Sequence, residues 1–201
     1  GTDAEVIDSP GLNSLVPLSE DEQVTWDLVR SVRGEEGAVV VQVADAKNLR
    51  RALLLTLQLG QLEVPSVLVL NMHDEAEARG IRLDLRGLEA ALGIPVRATV
   101  ATRGLGIEGV TAALAAARVP RNHLPIPDDV AGPALGEPLD EVAEVLDVPT
   151  LVGGDGHALD VLLDGGGHQP QHAWPADAAV LHLLLDVRLP ACRRPDLGRR
   201  R

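Results

Sequence analysis

The sequence has no phenylalanine and no tyrosine, and its aromatic residues are Trp26 and Trp174 alone. A core made without those rings must be filled by Leu, Val, Ile and Ala. One cysteine, Cys192, excludes an internal disulfide and cannot supply a multi-cysteine zinc site. Positive charge is scarce: Lys and Arg number 18 against 30 Asp and Glu, and the net charge of −12 argues against nucleic acid or anionic lipid as a general partner. No uninterrupted apolar run approaches the ~20 residues of a membrane-spanning helix, and no secretory leader is visible at the start. The first residue is Gly1 rather than Met, which raises the expectation of a fragment or a processed chain. At 201 residues the chain suggests one domain, or one domain with an appendage.

What is present begins with the stretch Val67 to Ile81, VLVLNMHDEAEARGI. Val67 to Leu70 reads as a buried parallel strand that stops at a polar tetrad, Asn71-Met72-His73-Asp74, expected to form a loop. In open α/β sheets ligands bind beyond the carboxyl ends of strands, which is where the tetrad falls. Asn-x-x-Asp in that place fits guanine recognition, and a strand followed by an ordinary polar turn is the equal alternative on the tetrad alone. A carboxylate at Asp74 accepts from guanine's ring N1–H and its exocyclic amine. Adenine offers neither donor at that edge, and a charged hydrogen bond contributes roughly 1.5–3 kcal/mol.

In chain order, Ala4 to Asp8 is a short strand candidate followed at once by Ser9-Pro10-Gly11. Asp-x-x-Gly after a strand suits the sensing of a terminal phosphate. The Asp reaches magnesium through water, and the Gly backbone approaches phosphate oxygen without a side chain in the way. A Pro-Gly turn with an incidental Asp is the plainer alternative. Ser19 to Glu22 has the pattern of a capping box, and Val24, Leu28 and Val32 predict an apolar helical stripe as far as Arg33, stopped by Gly34. Ala38 to Val43 predicts a central strand, Leu49 to Leu62 an apolar helix, and Val64 to Leu70 the strand before the tetrad. Short helices are expected over Glu75 to Arg79 and Leu85 to Leu92, then a strand over Val96 to Val100. A small-residue loop leads to a helix from Ile107 to Arg118. This alternation predicts a mostly parallel, doubly wound α/β sheet with four visible strands.

Beyond residue 119 the composition changes. Prolines and glycines crowd residues 120–201, with short elements expected over Asp140 to Asp147 and Ala178 to Val187. The expected division is therefore 1–119 for the α/β domain and 120–201 for a Pro-, Gly- and His-rich extension, poorly ordered or weakly helical. Five of the six histidines lie in it: His123, His157, His168, His172 and His182. Imidazole suits zinc, copper or nickel, but only His168 and His172 are four apart, and they flank Pro170. A disordered extension is favoured over a metal site, and a reading-frame error in a GC-rich gene is a further alternative.

Several motifs stand in a fixed order. Asp8-Ser9-Pro10-Gly11 resembles the third motif of a GTPase, Asn71 to Asp74 the fourth, and Val100-Ala101-Thr102 the fifth. The intervening text, SEDEQV, VADAKNLRRALLLTLQL and NMHDEAEARGIRLD, resembles the G domain of the ferrous iron transport protein B family over about residues 4 to 118. The resemblance implies a three-layer, P-loop-GTPase-like fold binding GTP or GDP with magnesium. By it, Asp8 is the magnesium-side carboxylate and Gly11 the γ-phosphate sensor, with residues 12–22 as a mobile switch. Asn71 steadies the base and the fifth-motif loop, Asp74 fixes guanine, and the N–H groups around Ala101 and Thr102 meet the guanine oxygen. It also implies a place on the cytoplasmic face of the cell membrane, ahead of a permease for Fe(II).

The departures are substantial. No G-x-x-x-x-G-K-[ST] loop occurs in the sequence, and the only lysine, Lys47, follows Ala44-Asp45-Ala46 and cannot belong to one. The threonine-bearing first switch and the iron-translocating helices are missing too. Val100 replaces the serine of the fifth motif, and Ser9 stands where the family tends to be apolar. Without the phosphate cradle, nucleotide binding is expected to be weak and hydrolysis negligible. An amino-terminally truncated G domain of an iron-transport GTPase is the first reading. A degenerate GTPase-like interaction module that binds no nucleotide is the second, and a translation-associated GTPase the third.

Overall fold

The computed structural model describes residues 5–11, 19–121, 152–153 and 182–185. Three parallel strands form its centre: β2 (Val40–Asp45), β3 (Ser66–Asn71) and β5 (Val96–Ala98). Their register is continuous, with Asp45 opposite Asn71 and Leu70 opposite Ala98. Helices α1 (Glu20–Ser31), α2 (Leu49–Gln61), α3 (His73–Ala78), α4 (Leu85–Leu92) and α5 (Ile107–Leu114) alternate with them.

The burial pattern explains the strands. Val40 and Ala44 join Leu68, Leu70 and Val96 in one core cluster, with Val29 and Val32 of α1, most of α2, and Leu88 and Leu92 of α4. Val39, Val41, Val67 and Val69 face the other way and meet Ala113, Val110 and Leu114 of α5. Alternate residues of a strand point to opposite faces, so both faces are apolar and the runs are unbroken. Gln42 is the exception inside β2, and it is fully buried. Its side-chain amide donates to the Ala52 carbonyl at 2.7 Å and its oxygen accepts from the Thr56 hydroxyl at 2.8 Å. A satisfied amide avoids the penalty of an unpaired buried polar group and ties β2 to α2.

Two short strands come from the carboxyl-terminal region. Strand β4 (Arg82–Leu83) pairs antiparallel with β6 (Val152–Gly153) in a separate two-stranded sheet. Strand β1 (Ile7–Asp8) and β2 both pair antiparallel with β7 (His182–Leu185). The main sheet thus has five strands in the order β1-β7-β2-β3-β5, one more than the four expected.

Several expectations need correction. Ser19 does cap α1, its hydroxyl accepting the Glu22 N–H at 3.2 Å, but Val24 is 50% exposed. The buried line of α1 runs through Thr25, Val29 and Val32 instead. Thr25 can sit inside because its hydroxyl donates to the Pro10 carbonyl at 2.6 Å. The strand before the fifth motif ends at Ala98, not Val100. There the chain turns into a 3-10 turn over Ala101–Arg103. The last helix ends at Leu114 rather than Arg118. The expected helix over Asp140 to Asp147, and His123, His157, His168 and His172, lie outside the described residues.

Candidate functional site

The carboxyl ends of β2, β3 and β5 meet at one edge of the sheet, and the tetrad crosses that edge. It is not a loop. Asn71 closes β3, Met72 takes a left-handed conformation (φ 57°, ψ 36°), and His73 and Asp74 already belong to α3. One left-handed residue between strand and helix turns the chain sharply, which is how Asn71 and Asp74 come to the same edge. Gly80, at φ 79°, follows the end of this short helix.

Asn71 is the hub. Its side-chain oxygen accepts the Ala101 N–H at 3.0 Å and the Thr99 hydroxyl at 3.1 Å. The Thr99 carbonyl in turn accepts the His73 N–H at 3.2 Å. The loop is held by reciprocal bonds between Val100 and Leu105, at 3.1 and 3.2 Å. Gly106, at φ 83°, lets it pack: a Cβ there would stand 2.3 Å from the Ala98 carbonyl oxygen. Asn71, Ala101 and Thr102 are therefore brought to one edge, with Ala101 and Thr102 exposed.

Asp74 faces the same loop. One carboxylate oxygen accepts the Glu75 N–H at 3.0 Å, and the other lies 4.0 Å from the Arg103 guanidinium. Its side chain is 43% exposed, so it is open to a ligand. His73 turns inward; its Nε2 lies 3.6 Å from Glu77, and its buried Nδ1 has no hydrogen-bond partner.

The Asp8 to Gly11 segment sits apart. Asp8 is opposite Leu184, and Leu184 is opposite Val41, so Asp8 is level with Val41, four residues short of Asp45. Strands β7 and β2 also separate it from β3. Asp8 is exposed at its strand end and Ser9 is buried, its hydroxyl donating to the Pro10 carbonyl at 3.3 Å. Asn71, Asp74, Ala101 and Thr102 thus form one group, and Asp8, Ser9, Pro10 and Gly11 another. Sequence reasoning passed over Thr99, Arg103, Thr25 and the part played by Lys47. A hydroxyl directly before the fifth motif and the solitary lysine were the signals available.

The comparisons with known proteins agree on one family. The family model "Ferrous iron transport protein B" matches residues 1–114. The Fe(2+) transporter FeoB of Escherichia coli (strain K12) is 41% identical over 119 residues, covering 56% of this chain and 15% of that protein. The same transporter from Salmonella typhimurium is 40% identical over the same 56% and 15%. The chain therefore spans about a seventh of the length of these relatives. The solved cytosolic domain of L. pneumophila FeoB shares 37% identity with a TM-score of 0.51, covering 57% of this chain and 45% of that one. No described helix is long and apolar enough to cross a membrane. The family match over more than half the chain, together with the Asn71–Ala101–Asp74 edge, shows that the chain belongs to the ferrous iron transport protein B family.

Proposed function

We propose that this chain carries the guanine-recognising side of a G domain, and that the nucleotide state of such a domain regulates Fe(II) uptake by an associated membrane permease at the cytoplasmic face. The observation that carries the reading is the bond from the Ala101 N–H to the Asn71 side chain, which sets the fifth-motif loop beside Asp74. In this reading the Asp74 carboxylate accepts from the N1–H and amine of guanine. The N–H groups around Ala101 and Thr102 donate to the guanine oxygen, Met72 and Val100 border the base, and His73 supports the edge through its backbone N–H to the Thr99 carbonyl.

On the phosphate side, Asp8 would hold magnesium through water, with Ser9, Pro10 and Gly11 forming the backbone next to it. Magnesium takes one or two carboxylates and otherwise water and phosphate oxygen. An exposed Asp8 fits that pattern, and no cluster of three or more ligating side chains occurs among the described residues. When bound, the ion would neutralise phosphate charge. No lysine-bearing phosphate loop is present in the sequence, so affinity is expected to be weak and GTP turnover negligible.

Titration calorimetry with GDP, ADP and IDP, each with magnesium, tests this. GDP should bind, IDP (which lacks the 2-amine) more weakly, and ADP not detectably. Equal binding of ADP and GDP would refute base recognition by Asp74. No binding of any of the three would favour the second reading, an interaction module that takes no nucleotide, which the missing phosphate loop also supports.

A further inference from the structure

Lys47 lies in the turn that follows β2, opposite the tetrad. Its backbone N–H donates to Asp45 Oδ1 at 2.8 Å, and its Nζ lies 3.4 Å from Asp45 Oδ2. The same Nζ is 2.5 Å from Glu75 Oε2 and 3.4 Å from the Met72 sulfur. The side chain is only 13% exposed. A solvated surface lysine spends its charge on water. This one is enclosed and spends it on acceptors from two elements, β2 and α3. Burying an ammonium is costly unless it is paired, and here Asp45 on one side and Glu75 and Met72 on the other supply the acceptors.

The backbone gives a second, independent observation. Met72 is a non-glycine residue in the left-handed region, which such residues enter rarely and leave unless the surroundings hold them. Three backbone bonds help: the Glu75 and Ala76 N–H groups both donate to the Met72 carbonyl, at 3.1 and 3.2 Å, and the His73 N–H donates to Thr99. Lys47 adds a side-chain hold on the Met72 sulfur. Across the turn, the Ala46 N–H donates to the Asn71 carbonyl at 2.8 Å, so the lysine starts from a docked position.

We infer that Lys47 is a positioning residue for the base edge: by clasping Met72 and Glu75 it fixes the orientation of the Asp74 carboxylate between them. The connection to Asp74 runs through the backbone: Asp74 Oδ1 accepts the Glu75 N–H, which also donates to the carbonyl of Met72. Releasing Glu75 and the Met72 turn frees that N–H and the carboxylate with it. The inference rests on the guanine reading given above and adds to it a residue outside the nucleotide motifs. A carboxylate that must meet two donors at once is more sensitive to such release than one that meets a single donor, so Lys47 should affect the preference for guanine over hypoxanthine.

The composition makes the test simple. Met72 is the only methionine and Lys47 the only lysine, so a [13C-methyl]methionine spectrum carries one resonance from within the chain, at the clasp itself. In the 201-residue chain carrying Lys47→Ala the Met72 methyl signal should move toward the free-methionine position, whereas Lys47→Arg should keep it near its original place. GDP affinity should fall about tenfold in Lys47→Ala, as expected when a recognising group loses its fixed geometry, and the GDP-to-IDP preference should approach unity. Lys47→Arg should restore most of both. An unmoved Met72 signal in Lys47→Ala overturns the clasp. A moved signal with an unchanged GDP-to-IDP ratio overturns the positioning role while leaving base recognition standing. If the unaltered chain binds no GDP, base recognition fails first and the role of Lys47 goes with it.

Discussion

The side-chain oxygen of Asn71 accepts the backbone N–H of Ala101 across thirty residues of sequence, at 3.0 Å. That bond joins the end of β3 to the loop after β5 and sets Ala101 and Thr102 beside the tetrad. Asn71→Ala removes the acceptor for both Ala101 and Thr99. Two net hydrogen bonds predict a loss of about 1–3 kcal/mol, read from urea unfolding. Amide exchange at Ala101 should rise in the same variant, and GDP affinity should fall. Unchanged exchange at Ala101 would show that the loop is held without Asn71.

Asp74→Asn offers a sharper test of chemistry, because it changes which base fits. An amide presents one acceptor and one donor where the carboxylate presents two acceptors. Xanthine carries a carbonyl oxygen in place of guanine's amine, so it matches the amide and repels the carboxylate. The expected outcome is loss of GDP binding by about tenfold or more with a gain for XDP, since each charged hydrogen bond is worth roughly 1.5–3 kcal/mol. Competition against a fluorescent GDP analogue checks it. The Asp74 side chain is 43% exposed and belongs to neither core cluster, so melting temperature should hardly move.

The glycines of the fifth-motif region should respond in opposite directions. At Gly106 a Cβ would strike the Ala98 carbonyl oxygen at 2.3 Å, and φ is 83°. Gly106→Ala is therefore expected to cost about 2 kcal/mol or more, through a left-handed residue and a forced backbone shift. Gly109 lies inside α5, and a Cβ there meets only Arg97 Cδ at 3.6 Å. Gly109→Ala should stabilise by about 0.5–1 kcal/mol through helix propensity. Urea midpoints of the two variants settle both signs.

Acid should weaken the packing of α4 on β5. Burial pushes the Glu89 carboxyl up, but the Val96 N–H at 3.0 Å and the Arg97 guanidinium outweigh it and hold the pKa below the usual 4.5. A carboxyl depressed in the folded state stabilises at pH values above its unfolded pKa, and that stability is lost as pH falls through the folded value. Glu89→Gln should therefore cost about 1 kcal/mol at neutral pH, a modest figure because the pair is partly solvated. The gap to the parent should close well below pH 4.5. A gap that stays constant with pH would mean the carboxylate charge contributes nothing.

How legible all this was depends on whether the information is local. Helix α4 begins and ends where its sequence predicts, Leu85 to Leu92, because Asp84 caps it with a bond to the Gly87 N–H and Gly93 ends it at φ 73°. Asn71 and Asp74 were readable because a strand end and a fixed spacing are local features. Val24 was misassigned because periodicity cannot tell which of two adjacent apolar lines is buried, and the deciding partner, the Pro10 carbonyl, is fifteen residues away. The loop reading of the tetrad failed on the left-handed conformation of Met72, which no local rule assigns to methionine. Strand β7 falls inside the element expected over Ala178 to Val187, but its place in the sheet was unreadable for a stronger reason: its partners lie more than a hundred residues upstream.

That strand supports the last prediction. β1 and β2 run parallel to each other, and β7 lies between them in the opposite sense, with Ile7 opposite Leu185 and Gln42 opposite Leu183. Opposed residues in an antiparallel pair have Cα atoms about 4.5–5.5 Å apart, within the range of about 4.4–6.8 Å that a disulfide spans. In a Cys192→Ser background, Ile7→Cys combined with Leu185→Cys should oxidise readily to a monomeric cross-linked species. Ile7→Cys with Leu183→Cys, two residues out of register, should not. Because the bridge closes most of the chain into one loop, it should also raise stability by roughly 3–5 kcal/mol in the chain-entropy account. A dimeric product would mean that a second copy supplies the strand. Equal cross-linking of both pairs would rule out a fixed register, and with it the present account of how β1 reaches the rest of the sheet.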